Sequence, residues 1–263
     1  MGIMSTKVLG VIQARMDSKR LPGKVLKKIE NKPLIWHIYK RLQNITEISE
    51  VVIATTNEDS DKPLRDFLVE NKISFYAGSV NDVLDRLYNT GNKFQCDILV
   101  KINSDCPLID SNLVQEGIKD YLRSNKKIDL VTNCVKETFP EGMQYAIFNF
   151  NSIIKLWKTI KDPFWKEYFF RYFLEKENKL SVKGIENSVN LSSLRWAVDY
   201  QEDLDFVRKV YEKLYQINPF FGIDEILNLL EAQPEITKIN NKFSSKISLE
   251  EFNESKNKKT KCL

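Results

Sequence analysis

The stretch that decides the fold is Lys7-Val-Leu-Gly-Val-Ile-Gln-Ala14, followed directly by Arg15-Met-Asp-Ser-Lys-Arg-Leu-Pro-Gly-Lys24. Its first half is a nearly continuous apolar run, which is typical of a strand buried on both faces in a parallel sheet. Its second half predicts a loop, because Pro22 restricts φ and Gly23 permits backbone conformations that other residues resist. The stretch therefore predicts a buried strand with a basic loop at its carboxyl end.

The basic loop carries four cations within ten residues, namely Arg15, Lys19, Arg20 and Lys24. Cations and backbone N–H groups on such a loop can wrap a polyphosphate. The loop has neither the GxxxxGKS pattern of a Walker loop nor the GxGxxG fingerprint, so a solvated basic loop stays open as the alternative. Its position directly after a buried first strand favours phosphate binding.

Apolar runs and helical periodicity alternate along the chain after this loop. Further strands are predicted at 51–55, 73–77, 98–102 and 128–132, with helices at 33–44, 61–71, 80–92 and 113–122. This βαβαβαβαβ order predicts an α/β, Rossmann-like fold, with a mostly parallel sheet and helices on both faces. Weaker patterns predict strands at 143–148, 180–185 and 194–199 and helices at 151–160, 164–176 and 202–215.

Length and composition predict one α/β domain over residues 1–240, with a small arm at about 140–190 and a polar, Lys-rich tail at 241–263. The net charge of +4 is low for a dedicated nucleic-acid binder, so we expect no nucleic-acid partner. No apolar run reaches the roughly 18 residues of a membrane span. The single histidine argues against zinc, and four cysteines without CxxC spacing favour a cytoplasmic protein.

Two carboxylates follow predicted strands, where ligands of parallel sheets bind. Asp105 comes after the strand at 98–102, and Asp199 ends the weaker strand at 194–199. Taken singly, Asp105 suits a turn before Pro107, and Asp199 suits the N-cap of the next helix. Taken together at strand ends, they are a plausible Mg²⁺ pair, because Mg²⁺ prefers one or two carboxylates with phosphate oxygens and water.

Residues 13–26, Gln-Ala-Arg-Met-Asp-Ser-Lys-Arg-Leu-Pro-Gly-Lys-Val-Leu, resemble the opening motif of the cytidylyltransferases, the group that holds CMP-Kdo synthetase and CMP-sialic acid synthetase. The resemblance is greatest to the branch named after spore coat polysaccharide biosynthesis protein F. Residues 78–86 (Gly-Ser-Val-Asn-Asp-Val-Leu-Asp-Arg), 103–109 (Asn-Ser-Asp-Cys-Pro-Leu-Ile) and 195–203 (Arg-Trp-Ala-Val-Asp-Tyr-Gln-Glu-Asp) are similar to later family segments. The likeness covers about residues 7–240.

The resemblance implies a CTP-dependent nucleotidyltransferase. An oxygen of an acidic, nonulosonate- or Kdo-like sugar would attack the α-phosphorus of CTP, releasing pyrophosphate and forming a CMP-conjugate for surface polysaccharide or glycan synthesis. It also implies a homodimer paired through the arm. The predicted catalytic residues are Lys24, Arg15 and Arg20; nucleotide binding is assigned to Gln13, Ala14, Arg15, Ser18, Gly23, Lys24, Arg86 and Asn103; Mg²⁺ or Mn²⁺ to Asp105 and Asp199; and the anionic acceptor to Gln144, Lys166 and Arg171.

The sequence departs from the family pattern mainly in the acceptor half. The family places two acids at alternate positions after its Pro-x-Gly turn, where this chain has Gln144 and Ala146. Fewer acids would reduce repulsion of a more anionic substrate, so a phosphorylated or phosphonate acceptor with a CDP-type product is one alternative. A non-catalytic nucleotide-binding subunit is the alternative from another functional class.

Overall fold

The computed structural model describes residues 6–124 and 127–242. The strands in these ranges follow the apolar runs, and a short hairpin comes between the first two long strands. They are β1 (Val8–Gln13), β2 (Lys28–Ile29), β3 (Lys32–Pro33), β4 (Glu50–Thr56), β5 (Phe75–Gly78), β6 (Ile98–Asn103), β7 (Leu130–Thr132), β8 (Ala146–Asn149) and β9 (Val182–Gly184).

The helices of the described ranges begin at residues suited to helix starts. The side chains of Asp82 and Asp110 accept backbone N–H groups of the first turn, and proline stands in the first turn of two helices. The helices are α1 (Leu34–Gln43), α2 (Lys62–Glu70), α3 (Val83–Lys93), α4 (Ser111–Arg123), α5 (Phe150–Thr159), α6 (Pro163–Glu167), α7 (Phe169–Leu174), α8 (Gln201–Leu214) and α9 (Ile223–Ala232).

The main sheet has seven strands in the order β5-β4-β1-β6-β8-β7-β9. β1 pairs in parallel with β4 and β6, and β4 pairs in parallel with β5. β8 runs antiparallel to both of its neighbours, β6 and β7. The mostly parallel sheet predicted from the sequence is confirmed, with one difference: β7 is separated from β6 because the chain turns back and inserts β8 between them.

Helices cover both faces of the sheet, as predicted. Alternate residues of β1 enter two separate apolar clusters, with Val8 and Ile12 on one side and Leu9 and Val11 on the other. The first cluster includes buried residues of α1, α2, α4, α8 and α9, and the second includes those of α3, α5 and α7. This explains the continuous apolar run of β1, because both faces of this strand are buried.

Two predicted elements differ in the structure. Residues 194–199 do not form a strand; this segment makes a single parallel bridge, between Glu141 and Arg195. The predicted helix at 164–176 is two short helices, since it breaks at Tyr168. The break lets Phe169 and Phe173 turn into the core beneath the sheet, whereas the Tyr168 ring packs on Phe164 with centroids 4.8 Å apart.

None of the helices within 6–124 and 127–242 combines the length and apolar character needed to cross a bilayer. The predicted Lys-rich tail falls almost wholly outside the described residues, as does Cys262. Cys96, Cys106 and Cys134 are free thiols, and the first two are buried.

Candidate active site

The basic loop after β1 folds back on itself. The Met16 carbonyl accepts hydrogen bonds from the backbone N–H of Ser18 at 2.9 Å and of Gly23 at 3.0 Å. Gly23 has φ of 66°, the left-handed region that glycine occupies without a steric penalty. The Ser18 hydroxyl accepts the Leu21 N–H at 3.4 Å. The predicted turn is therefore closed by the chain's own backbone and by Ser18.

A buried carboxylate fastens this loop to the neighbouring strand. Asp61 is 1% exposed and accepts the Met16 backbone N–H at 2.6 Å. Its other oxygen accepts the Thr55 hydroxyl at 3.0 Å and the Thr56 backbone N–H at 3.1 Å. Because both threonines lie at the end of β4, Asp61 holds the loop at the carboxyl edge of the sheet.

Lys24 extends from the loop to the two predicted metal ligands. Its ammonium nitrogen donates to the Val198 carbonyl at 2.7 Å and to Asp199 Oδ1 at 2.9 Å, and it lies 3.6 Å from Asp105 Oδ2. Burial by itself would lower the pKa of Lys24, but the charges of Asp105 and Asp199 outweigh it and raise that pKa above its ordinary value. Both carboxylates thus lie next to one charged ammonium group.

Asp199 contacts three cationic side chains, Lys24, Arg20 and Arg195. Arg20 Nη2 lies 3.0 Å from Asp199 Oδ2, and Arg195 Nη2 donates to the same oxygen at 3.0 Å. Burial opposes ionisation of this carboxyl, but Lys24 and then Arg20 hold its pKa at about 2. The structure therefore brings together Lys24, Arg20, Asp105 and Asp199, as the sequence predicted for the carboxyl edge of the sheet.

Arg195 is a central residue that sequence reasoning did not select. Its side chain is 5% exposed; its Nε donates to Asp203 Oδ1 at 3.1 Å, and its Nη1 donates to Glu141 Oε2 at 2.6 Å. Asp203 is completely buried and also accepts the backbone N–H groups of Asp199 and Tyr200. One guanidinium group therefore orients Asp199, Glu141 and the first turn of α8.

Glu141 is the second residue that the sequence did not identify. Its backbone N–H donates to the Leu194 carbonyl at 2.9 Å, and its carbonyl accepts from Trp196 at 2.7 Å. Gly142 follows with φ of 101°, and a Cβ there would come within 2.6 Å of the Ala197 nitrogen. Burial raises the pKa of the Glu141 carboxyl to about 7 despite the opposing charge of Arg195.

A cavity of about 280 Å³ opens beside this cluster. Six predicted site residues line it: Arg20, Asn103, Asp105, Gln144, Arg171 and Asp199. Lys101, Glu141 and Ala146 line it as well. Lys166, predicted to bind the acceptor, lies outside this lining and forms an ion pair with Asp82 at 2.8 Å.

Gln13, Ala14, Arg15 and Arg86, also predicted to bind the nucleotide, are not among the residues that line this cavity. Arg15 lines a second cavity together with Thr56 and Asp61. The Arg86 side chain is buried, and its Nη1 donates to the Ser79 carbonyl. Burial, followed by the charge of Arg15, lowers the pKa of Arg86 below its ordinary value. Gln13 ends β1, and Ala14 donates its N–H to the Ala54 carbonyl at 3.0 Å.

Comparison with known proteins agrees with this arrangement. The model of the cytidylyltransferase family matches residues 9–232. The chain belongs to the cytidylyltransferase family and is a nucleotidyltransferase. It is 23% identical over 236 residues to the spore coat polysaccharide biosynthesis protein SpsF of Bacillus subtilis, covering 87% of this chain and 95% of SpsF.

Solved structures of cytidylyltransferases share the fold. A cytidylyltransferase from Leptospira borgpetersenii is 28% identical, with a TM-score of 0.83, covering 88% of this chain and 97% of that one. A CMP:2-keto-3-deoxy-manno-octonic acid synthetase complexed with CTP is 18% identical, with a TM-score of 0.62, covering 79% of this chain and 99% of that one. At 18% identity the second likeness shows the common fold only.

Proposed function

We propose that this cytidylyltransferase transfers CMP from CTP to an oxygen of an acidic, sugar-like acceptor and releases pyrophosphate. The observation that carries the proposal is the contact of Lys24 and Arg20 with Asp199, beside Asp105, at the mouth of a cavity. Cations for phosphate oxygens, acids for a divalent cation and space for an acceptor meet at one edge of the sheet. The family supports CTP as the nucleotide.

Asp105 and Asp199 fit a divalent metal, because two carboxylates within 3.6 Å of the same nitrogen form the kind of oxygen donor set that Mg²⁺ takes with phosphate oxygens and water. We propose that they hold Mg²⁺ or Mn²⁺. When bound, the metal would neutralise charge on the phosphate oxygens and polarise the phosphorus centre.

The chain's own residues position the triphosphate. Lys24 and Arg20 neutralise its oxygens, while the loop closed by Ser18 and Gly23 and fastened by Asp61 supplies a rigid backbone. Arg15 faces the nucleotide from the second cavity, whereas the buried Arg86 lies outside the lining of that cavity. Catalysis of this kind rests on alignment and on fixed charges that need not reorganise during the reaction.

The acceptor would occupy the cavity of about 280 Å³. Lys101 and Arg171 provide positive charge for an anionic group, and Gln144 provides hydrogen bonds. The role of SpsF named in its title, spore coat polysaccharide biosynthesis, supports a sugar acceptor and a product used for surface polysaccharide. The free, buried thiols of Cys96 and Cys106 suit a reducing compartment, and we propose the cytoplasm.

A second candidate acceptor is a phosphorylated or phosphonate compound, which would give a CDP-type product. The structure favours it at one point: Gln144 and Ala146, which replace the acids expected from the family, both line the cavity. A dianionic group would meet less repulsion there than in a relative that keeps both acids.

Pyrophosphate release separates these candidates. The purified protein is incubated with Mg²⁺ and CTP, UTP, ATP or GTP, each with 3-deoxy-manno-octulosonate, nonulosonates, sugar phosphates or phosphonates. We expect the wild-type protein to release pyrophosphate with CTP and a sugar acid. The matched Asp105→Asn variant should release none. Release with phosphorylated acceptors alone would select the CDP-type product. Tight CTP binding without turnover on any acceptor would overturn the proposal and indicate a non-catalytic subunit.

We also propose a homodimer paired through the arm at residues 140–190, which contains α5 to α7 and β9. Light scattering coupled to size exclusion measures the mass directly. A mass of about 62 kDa, twice that of the 30.8 kDa chain, would support the dimer, and a monomer mass at micromolar concentration would contradict it.

A further inference from the structure

The two proposed metal ligands already have cationic partners in the protein. Asp199 is contacted by Lys24 at 2.9 Å and by Arg20 at 3.0 Å, and Lys24 is also 3.6 Å from Asp105. Arg195 contacts Asp199 too, but its charge is shared with Glu141 and Asp203. Lys24 and Arg20 therefore supply two positive charges against the two carboxylates, which leaves the pair close to neutral.

Lys24 stands where a divalent cation would have to bind. A metal ion on Asp199 lies about 2.0–2.1 Å from a carboxylate oxygen if it is Mg²⁺. The ammonium nitrogen of Lys24 occupies the space beside Asp199 Oδ1 and faces Asp105 as well. Two cations cannot share that space without strong repulsion, because the group is buried and poorly screened by water.

We propose that Lys24, assisted by Arg20, fills the divalent-cation position of the nucleotide-free protein and gives it up only when a triphosphate draws both side chains away. The metal ion therefore binds together with the nucleotide and not before it. This inference rests on the proposed function, because it takes Asp105 and Asp199 as the metal ligands.

The surroundings of the cluster allow this exchange. Lys24 has a flexible four-carbon stem, and the Arg20 side chain is 32% exposed, so both can turn towards phosphate oxygens. Arg195 remains in place because it is also bonded to Asp203 and Glu141. Asp199 accordingly keeps its orientation after Lys24 leaves, and its freed oxygen can accept a metal ion.

The decisive measurement is the affinity for Mn²⁺ in the absence of nucleotide. Calorimetry and electron paramagnetic resonance both measure it. We expect weak binding by the wild-type protein and at least about tenfold tighter binding by Lys24→Met. The matched control is Lys183→Met, which removes a lysine paired with Asp120 at 2.8 Å on the surface and should bind Mn²⁺ like the wild type. The double variant Lys24→Met/Asp105→Asn should not show the tighter Mn²⁺ binding that is expected of Lys24→Met.

Stability of the variants is checked in the same samples. Lys24→Met leaves two partly buried acids, Asp105 and Asp199, without their main counter-charge, and Mn²⁺ should raise its melting temperature more than that of the wild type. Should Lys24→Met not fold, Arg20→Met tests the same idea at a more exposed position, with a smaller gain in Mn²⁺ affinity.

Two results overturn the inference while leaving the proposed function intact: wild-type protein that binds Mn²⁺ as tightly without CTP as with it, and a Lys24→Met protein that binds Mn²⁺ no tighter than Lys183→Met. Failure of the proposed function shows itself differently, as absence of pyrophosphate release by wild-type protein with every acceptor. If Mn²⁺ binds to no variant even with CTP present, Asp105 and Asp199 are not metal ligands, and the proposed metal site and this inference fall together, while pyrophosphate release still decides the proposed function.

Discussion

Lys24 and Asp105 carry opposite charges 3.6 Å apart, and removal of either should affect the reaction more than the fold. We expect Lys24→Ala or Asp105→Asn to reduce turnover of CTP at least about a hundredfold, because one electrostatic stabiliser of a transition state contributes ~2.7–4 kcal/mol. Pyrophosphate release measures turnover, and circular dichroism measures folding. Lys183→Ala serves as the control, and wild-type turnover in either site variant would contradict the assignment.

Arg195 should matter chiefly for stability. Its side chain is buried, and it is the guanidinium partner of Glu141, Asp199 and the completely buried Asp203. We expect Arg195→Met to lower the free energy of unfolding by about 3–5 kcal/mol, as is usual when one member of a buried ion pair is removed. Urea unfolding measures the loss. Arg195→Lys keeps the charge without the planar fork and should lose less than Arg195→Met; no loss at all in Arg195→Lys would argue against the fork geometry.

At the scale of single residues, the sequence identified one half of the charge cluster. Lys24, Arg20 and Asp105 could be predicted because they follow strands whose carboxyl ends meet at one edge of a parallel sheet. Asp199 lies in a stretch that resembles the family, although its segment is not the strand that was predicted. The Glu141–Arg195 pair could not be predicted, because the residues of two distant segments do not indicate that their side chains are in contact. Arg195 lies in the family-like stretch at 195–203 and Glu141 in the Pro-x-Gly turn at 140–142, and this resemblance was the only available signal.

Among the elements, α1 and α8 meet at the protein's single histidine. The His37 ring packs against Tyr211 and Tyr215 of the α8 region, with centroids 4.5 and 5.4 Å away, and its Nε2 bonds the Ile29 carbonyl at 2.8 Å. Burial lowers the pKa of His37 from 6.5 to about 4, with a smaller contribution from the charge of Arg41. The neutral imidazole is thus the form that the folded protein accommodates.

This shift predicts a loss of stability in acid. The folded-state pKa of His37 lies below its unfolded value, so its contribution is fully present above about pH 6.5 and is lost as the pH falls towards 4. The shift corresponds to about 3 kcal/mol at most. We expect the free energy of unfolding of His37→Gln, measured in urea between pH 4 and 7, to fall less steeply than that of the wild type. Parallel curves would contradict the pKa shift.

Gly142 follows Glu141 in a turn and lies directly against the backbone of Trp196 and Ala197, in the segment that carries Arg195 and Asp199. We expect Gly142→Ala to destabilise the protein by about 1–3 kcal/mol, because alanine at φ of 101° is strained and its Cβ would meet backbone atoms of Trp196 and Ala197. Thermal unfolding measures the effect. Gly184→Ala is the control, since its Cβ would meet only the side chain of the half-exposed Val135; an equal loss there would remove the case for Gly142.

Elements buried on both faces were the easiest to predict from sequence. β1, β4 and β6 read as apolar runs because helices cover both sides of the sheet centre. Residues 194–199 showed a similar apolar pattern, but Trp196 and Val198 are buried in the apolar cluster on one face of the sheet without forming a strand ladder. The antiparallel insertion of β8 could not be predicted, because strand order depends on long-range pairing.

For the whole molecule, ligand binding should appear as thermal stabilisation. With Mg²⁺ present and CTP at about 100 times its dissociation constant, the folded state gains about 2.7 kcal/mol. For a chain of this size we expect a rise of roughly 5–10 °C in melting temperature, measured by calorimetry. ATP should give a smaller rise, and Asp105→Asn should lose the part that depends on Mg²⁺. A rise that is the same with and without Mg²⁺ would argue against a metal bound between nucleotide and protein.

Lys24 bonds a carboxylate that lies 175 residues further along the chain. During synthesis the basic loop leaves the ribosome long before Asp199, and the segment that carries Arg195 emerges only after most of the sheet is made. A truncated product of translation holds Lys24, Arg20 and Asp105 without Asp199 and Arg195. A chain cut short before residue 195 therefore lacks one of the two proposed metal ligands, and we expect it to turn over no CTP.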